Sequence, residues 1–163
     1  MSSADLSVPG NFSSSDASAG NEIIHLNDLL AQALKTAMNA AGVNIITRCE
    51  HLPRMNGDAR QMRLFFDTLA SMIAKSFSSC SRAFLLVKCE EWNLPDSPVG
   101  SNHNKNYLLS FHTNLSEGIV GKAHNSEMIA LCQQIISSHD GNFIVNNNHA
   151  GCLFSIILPG KLE

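Results

Sequence analysis

Histidine and cysteine are the side chains in this sequence best suited to metal or nucleophilic chemistry. The chain has seven histidines and five cysteines. A transition-metal site needs several such ligands held together, commonly two histidines at i, i+4 or a pair of cysteines. His103, His112 and His124 are candidates to meet at one end of the fold, but they have neither that spacing nor a cysteine pair beside them. We therefore expect no metal site.

The cysteines show no redox or zinc motif. They are odd in number and no two form a C-x-x-C pair; they are Cys49, Cys80, Cys89, Cys132 and Cys152. An unpaired cysteine in an apolar context packs as a small hydrophobic residue. We expect free, largely buried thiols and no catalytic cysteine.

The composition indicates one weakly acidic domain. The 163 residues are 44% hydrophobic and 15% charged, with a formal net charge of −3. Lys and Arg are scattered singly, which argues against a nucleic-acid partner or a polybasic membrane surface. No apolar run approaches the roughly 18 residues of a membrane span, and the beginning of the sequence lacks the basic and apolar parts of a secretion signal. We expect a cytoplasmic protein with no membrane association.

Residues 1–21 are rich in Ser, Gly, Ala and Asn and poor in large apolar side chains. Such a segment buries too little apolar surface to offset the entropy of ordering. It is predicted to be a disordered tail, and the folded domain is predicted to span residues 22–163.

The first part of the domain shows a strand, a helix and a second strand. Glu22–Leu26 is a short strand-like run, and Asn27 is predicted to cap a helix whose apolar residues recur at helical spacing. Gly42 is predicted to end that helix as its C-terminal cap. The two-residue alternation of Val43–Glu50 predicts the second strand.

The longest helical pattern follows. Asp58 and Gln61 have the spacing of a capping box, in which each side chain bonds a backbone N–H of the first helical turn. Two strands are predicted next, Ala83–Trp92 and Asn106–Thr113. The polar residues 93–105 between them are predicted to form an exposed hairpin loop.

The last part of the chain contains a third helix and a hairpin. The helix is predicted over Ser126–His139, and the hairpin strands over Asn142–Asn146 and Cys152–Leu158, with residues 147–151 as the turn. Three amphipathic helices and a mixed, mostly antiparallel sheet predict an α+β fold, a two-layer sandwich with the helices packed on the sheet.

Four segments of the sequence match, in order, short motifs that recur together in one family of nucleotide-binding domains. His25–Leu30 matches an entry strand and first helix, and Thr68–Lys75 aligns with the N box, N-L-x-x-N-A-x-K. Ile135–Gly141 is similar to a closing helix with its H-G-G turn, and Phe154–Pro159 to a last strand. From Glu22 onward the chain thus resembles the ATP-binding domain of bacterial sensor histidine kinases, within the gyrase, Hsp90, histidine kinase and MutL group.

The resemblance implies an ATP site with Mg²⁺ and points to residues of the N box. Thr68 stands where relatives have Asn or a catalytic Glu, and its hydroxyl cannot serve as a general base near neutral pH. Met72 stands where relatives have the Asn that holds Mg²⁺, and a thioether is a poor ligand for a hard cation. Lys75 keeps the basic residue of the motif, either as an exposed helix lysine or as a group that attracts a phosphate.

The loops of that site are altered too. The adenine-reading loop D-x-G-x-G aligns with residues 114–118, where Asn114 has an amide in place of the carboxylate and Gly118 keeps the second glycine. The phosphate-binding motif G-x-G-L-G-L aligns with His124–Ile129, which contains no glycine. Only residues 120–123 separate the two loops, so the long ATP lid of the family is essentially missing.

These changes predict a degenerate histidine-kinase-type domain without catalytic residues and without a required cofactor. Such a domain is expected to act as a protein-interaction or regulatory module in bacterial two-component-type signalling. Its expected partner is a signalling protein such as a response regulator or a sensor kinase. One alternative is a divergent domain that still binds ATP or ADP weakly with Mg²⁺. Another is an unrelated α/β interaction domain.

Overall fold

The computed structural model describes residues 22–77, 82–92, 105–114, 123–145 and 152–161. They form ten elements in the order β1 (Glu22–His25), α1 (Leu26–Ala41), β2 (Ile45–Cys49), β3 (Arg54–Gly57), α2 (Ala59–Ser76), β4 (Ala83–Trp92), β5 (Lys105–Thr113), α3 (Ala123–Ser138), β6 (Asn142–Val145) and β7 (Cys152–Gly160). The predicted tail 1–21, most of the predicted loop 93–105 and the predicted turn 147–151 lie outside the described residues.

The main layer is a sheet of five strands in the order β2-β4-β5-β7-β6. Only the β2–β4 pair is parallel; the other three pairs are antiparallel. The three helices form the second layer, which packs on one face of the sheet. The predicted two-layer α+β sandwich with a mixed, mostly antiparallel sheet is confirmed.

A second, smaller sheet was not predicted. It pairs β1 with β3 in antiparallel register, so that Ile24 faces Met55 and both are buried. β3 has the sequence Arg-Met-Asn-Gly, and Asn-Gly is a turn signal in short segments. Its strand conformation depends on the pairing with β1, which a local pattern does not reveal.

Alternating residues of the strands supply the sheet side of the core. On β4, Leu85 and Val87 are fully buried against the helices, whereas Phe84 and Lys88 lie on the opposite face and are exposed. Aromatic rings fill the centre: Phe65 of α2 meets Phe143 of β6 edge to face at 5.7 Å, one of several ring contacts there. This packing fixes α2, the helix that bears the N-box alignment, on the sheet.

The helix ends confirm two predictions and correct two. Gly42 is the C-terminal cap of α1, with a φ of 68°, and the Asp58 side chain caps α2 by accepting from the N–H groups of Arg60 and Gln61. Asn27 is not an N-cap, because α1 begins at Leu26. The reciprocal bond of the capping box, from the Asp58 N–H to the Gln61 side chain, does not form, because the Asp58 N–H donates to His139 Nε2.

Candidate functional site

Three of the predicted site residues share one face of α2. Thr68, Met72 and Lys75 follow one another at i, i+4 and i+7, which places them on one side of a helix. They differ in exposure: Thr68 is half-buried, Met72 is 1% exposed and Lys75 is exposed at the end of the helix. The middle of this face therefore lies in the core, and its end at Lys75 lies at the surface.

Met72 belongs to the hydrophobic core. Its thioether has no oxygen to offer a cation, and its backbone carbonyl oxygen already accepts a 2.8 Å bond from Ser76 Oγ. Mg²⁺ takes oxygen ligands in near-octahedral geometry and usually keeps several of its waters. A fully buried methionine leaves no room for those waters at this position, so the described residues around Met72 do not fit Mg²⁺.

The amide of Asn114 is bonded to the backbone of β4 and the residue before it. Its Oδ1 accepts from Phe84 N at 3.1 Å, and its Nδ2 donates to Arg82 O at 2.8 Å. The pair of bonds extends the β4–β5 ladder by one position beyond Leu85–Thr113. Asn114 thus holds the end of β5 to the start of β4, which is a structural use of the group expected to read adenine.

The remaining parts of the predicted nucleotide site fall largely outside the described residues. Gly118 lies in the undescribed segment 115–122, together with most of the residues expected to replace the lid. The segment aligned with the phosphate motif lies within the first turns of α3, which begins at Ala123, three residues before its predicted start. The structure therefore brings Thr68, Met72 and Lys75 onto one helix face and leaves Gly118 a prediction.

Two cavities between described elements lie away from these residues. One, of about 130 Å³, opens on the small sheet and is lined by Ile23, Arg54, Met55, Asn56 and Lys161. The other, of about 140 Å³, lies between α1 and α2 and is lined by Leu29, Gln32, Thr36, Arg63 and Asp67. Neither lining includes a residue of the predicted nucleotide site.

His139 joins the ends of two helices, a role that the sequence pattern did not predict. Its Nε2 accepts from Asp58 N at 3.1 Å, while its Nδ1 lies 2.9 Å from Ile135 O. These partners require the tautomer with the proton on Nδ1. A Cβ on Gly57 would come within 2.5 Å of the ring, so only glycine leaves space for it. The sequence His139-Asp140-Gly141, which aligns with the H-G-G turn, was the signal that could have indicated this contact.

Asn27 makes a structural connection, and the thiols of Cys89 and Cys132 are unreactive. Asn27 Oδ1 accepts from Leu52 N at 2.8 Å and its Nδ2 donates to Glu50 O at 3.2 Å, which ties α1 to the segment after β2. Burial, followed by the charge of Glu50, raises the pKa of the Cys89 thiol to about 11, and burial raises that of Cys132 to about 12. Thiols with such pKa values stay protonated near neutral pH and are poor nucleophiles.

No group of three or more His, Cys, Asp or Glu side chains in the described ranges is arranged to hold a metal ion. Of the three histidines considered as ligands, only His112 has a described side chain. Burial, followed by the charge of Lys88, lowers the pKa of His112. Within the same ranges, no helix is both long enough and apolar enough to span a membrane.

Comparison with solved structures identifies the architecture. A mycobacterial sensor histidine kinase, MprB, matches 87% of this chain over 100% of its own, with a TM-score of 0.61 and 11% identity. The chain has the fold of a histidine kinase catalytic domain. The catalytic domain of the histidine kinase ThkA matches 86% of the chain over 96% of its own, with a TM-score of 0.56 and 11% identity. No protein-family model and no curated protein matches the sequence.

The Acinetobacter baumannii histidine kinase AdeS has the same fold, with a TM-score of 0.54 and 12% identity over 84% of this chain and 66% of its own. The histidine kinase fold confirms the resemblance stated from the sequence landmarks.

Proposed function

We propose that this chain is a degenerate domain with the histidine kinase fold that acts as a non-catalytic protein-interaction or regulatory module in two-component-type signalling. The observation that carries the proposal is Met72: the position aligned with the Mg²⁺ ligand holds a thioether that is 1% exposed. A nucleoside triphosphate carries several negative charges that relatives neutralise with this metal. Without the metal, the site loses its strongest contact to the phosphates.

Asn114 supports the same proposal from the adenine side. Both ends of its amide are bonded to backbone groups, so binding adenine would compete with bonds that stabilise the sheet. Each charge-assisted contact that is lost costs about 1.5–3 kcal/mol. Two or three such losses lower affinity by several orders of magnitude, because each 1.4 kcal/mol corresponds to about tenfold.

Lys75 favours a second candidate function, weak binding of ATP or ADP. It is exposed at the end of α2 on the same face as Met72, where an ammonium group can meet a phosphate. In this case nucleotide affinity depends on the Lys75 charge. Lys35 of α1 is also an exposed helix lysine, so it provides a matched control.

Thermal unfolding with Mg-ATP and Mg-ADP separates the two candidates. A ligand present at 100 times its dissociation constant stabilises the folded state by about 2.7 kcal/mol. The proposal predicts that millimolar nucleotide leaves Tm unchanged in the wild type, in Lys75→Ala and in Lys35→Ala. A concentration-dependent rise in Tm that is lost only in Lys75→Ala would establish the second candidate instead.

The proposed partner is a signalling protein such as a response regulator or a sensor kinase. The structural relatives named above are histidine kinases, and such proteins work in two-component signalling. Binding of purified response regulators from the source organism, measured without nucleotide, tests the interaction role. The module role requires at least one saturable complex that ATP does not alter.

A further inference from the structure

The face of the main sheet that is turned away from the helices carries an exposed apolar patch. Ile46 of β2 is 67% exposed and Phe84 of β4 is 39% exposed. The two residues are direct register partners on parallel strands, so their side chains are neighbours on the same face. Leu86, two residues along β4, continues the apolar surface and is half-buried. We call Ile46, Phe84 and Leu86 the β2–β4 patch.

Basic side chains border the patch. Arg48 is the register partner of Leu86, and Lys88 follows two residues later on the same face of β4; both are exposed. Neither forms an ion pair with any described part of the chain. Glu90 follows Lys88 by two residues on the same face and is exposed, so the basic part of the border is the part next to Leu86. Two unpaired cations beside exposed apolar side chains are available to carboxylates from outside.

β2 is also an edge strand of the main sheet. Its one pairing partner among the described strands is β4. An edge strand presents backbone N–H and C=O groups that another chain can bond. At Ile46 a partner could therefore contact an exposed apolar side chain and bond the backbone of the edge strand beside it.

We propose that the β2–β4 patch is the docking surface of the interaction module, and that it takes a segment of a partner protein whose apolar side chains are flanked by Asp or Glu. The inference rests on the proposed function and names the surface and the chemistry of its partner. An apolar centre with arginine and a polar border is the usual composition of a protein interface. Complementary charge supplies orientation and excludes basic partners.

The same charges argue against a second copy of the chain as the occupant. A symmetric dimer through this surface places the patch of one copy against that of the other. Such a dimer, centred on the patch, brings Arg48 and Lys88 of both copies to the border of one interface, with Glu90 two residues beyond Lys88 as a partial offset. Like charges brought together at an interface are unfavourable.

Two synthetic peptides test the proposal on the full chain. One is an amphipathic peptide with a leucine face flanked by glutamates, and the other is its twin with lysine at every glutamate position. Amide NMR shifts at low ionic strength report binding. We expect saturable shifts centred on Ile46 and Phe84 with the glutamate peptide, weakened by added salt, and no such shifts with the lysine twin.

Charge reversals and an apolar replacement locate the site. Arg48→Glu with Lys88→Glu should weaken the glutamate peptide about tenfold or more, since two favourable charge contacts become repulsive. The matched control, Lys35→Glu with Arg63→Glu, makes the same change in net charge on exposed helix positions and should leave affinity near the wild-type value. Ile46→Ser should weaken binding, whereas Ile144→Ser on β6, at the other edge of the sheet, should not.

Three results would overturn the proposal. The first is equal binding of both peptides, and the second is a dimer in sedimentation that Ile46→Ser dissociates. The third is a shift of the β2 and β4 amides in Phe12→Ser without peptide, which would make the chain's own residues 1–21 the occupant. The Phe84 amide donates to Asn114 Oδ1 and would respond to a ligand at either site. The amides of Ile46 and Leu86 have no such bond to Thr68, Lys75 or Asn114, so they distinguish failure of this proposal from the discovery of a nucleotide site.

Discussion

Asn114 offers a quantitative test, because one amide makes two bonds that can be counted. Replacing Asn114 by Ala removes the 3.1 Å bond from Phe84 N and the 2.8 Å bond to Arg82 O. Asn114 is exposed, and water replaces its partners on unfolding, so each bond contributes about 0.5–1 kcal/mol to stability. We expect a loss of about 1–2 kcal/mol, which for a domain of this size lowers Tm by roughly 2–8 °C.

Asn114→Asp is the more informative variant. It restores the carboxylate of the histidine kinase family but replaces the donor to Arg82 O by an oxygen, which faces the carbonyl oxygen without a proton between them. We expect this variant to lose about 1–2 kcal/mol as well. Chemical denaturation followed by circular dichroism measures both variants.

The matched control is Asn142→Ala. Asn142 is exposed on β6, and its side chain has no hydrogen bond with the described part of the chain. Its replacement should change the free energy of unfolding by no more than about 0.5 kcal/mol. If Asn114→Asp is as stable as the wild type and gains nucleotide affinity, the structural role assigned to Asn114 is refuted.

Three further predictions concern the core, the helix junction and the thiols. Gly57→Ala should lose about 2–3 kcal/mol in denaturant unfolding, because its Cβ would displace the His139 ring and leave the half-buried N–H of Asp58, the α2 N-cap, unpaired. A loss below that of the exposed position Gly42→Ala would contradict this. Met72→Asn should lower the free energy of unfolding by about 2 kcal/mol or more, because it places an amide in the core. It should gain no Mg-ATP binding in calorimetry, and tighter nucleotide binding than in the wild type would contradict the proposed function. The pKa values of Cys89 and Cys132 are raised from 9.0 to about 11 and about 12. The free energy of unfolding should therefore fall as the pH rises from 9 toward 11, because thiols ionise there in the unfolded chain but not in the folded one. An equally steep fall in Cys132→Ala would show that this thiol has no part in the pH dependence.

Local signals in the sequence predicted most of the elements, for physical reasons that individual residues illustrate. Gly42 takes the left-handed conformation that its position after an amphipathic helix requires. Asp58 bonds the free N–H groups of the first helical turn, as its position before the α2 pattern predicts. Both interactions join residues close in sequence, which is why a pattern can reveal them.

The missed features depend on residues far apart in the chain. Asn27 was predicted to cap a helix, but it bonds Leu52, 25 residues away. The capping box predicted for Asp58 and Gln61 would pair the Asp58 N–H with the Gln61 side chain, but His139, 81 residues away, accepts that N–H. The bonds from the Asn114 amide to backbone groups of β4 and of the residue before it were not predicted either. A single sequence predicts which groups can form hydrogen bonds and does not predict such distant partners.

Titration of the isotope-labelled chain with Mg-ATP, followed by amide NMR, tests the central claim most directly. The proposed function predicts that amides of Thr68, Met72, Lys75 and Asn114 do not shift in a saturable way at millimolar nucleotide. Saturable shifts of these amides, diminished in Lys75→Ala and retained in Lys35→Ala, would contradict the proposal of a non-catalytic module and establish a working nucleotide site.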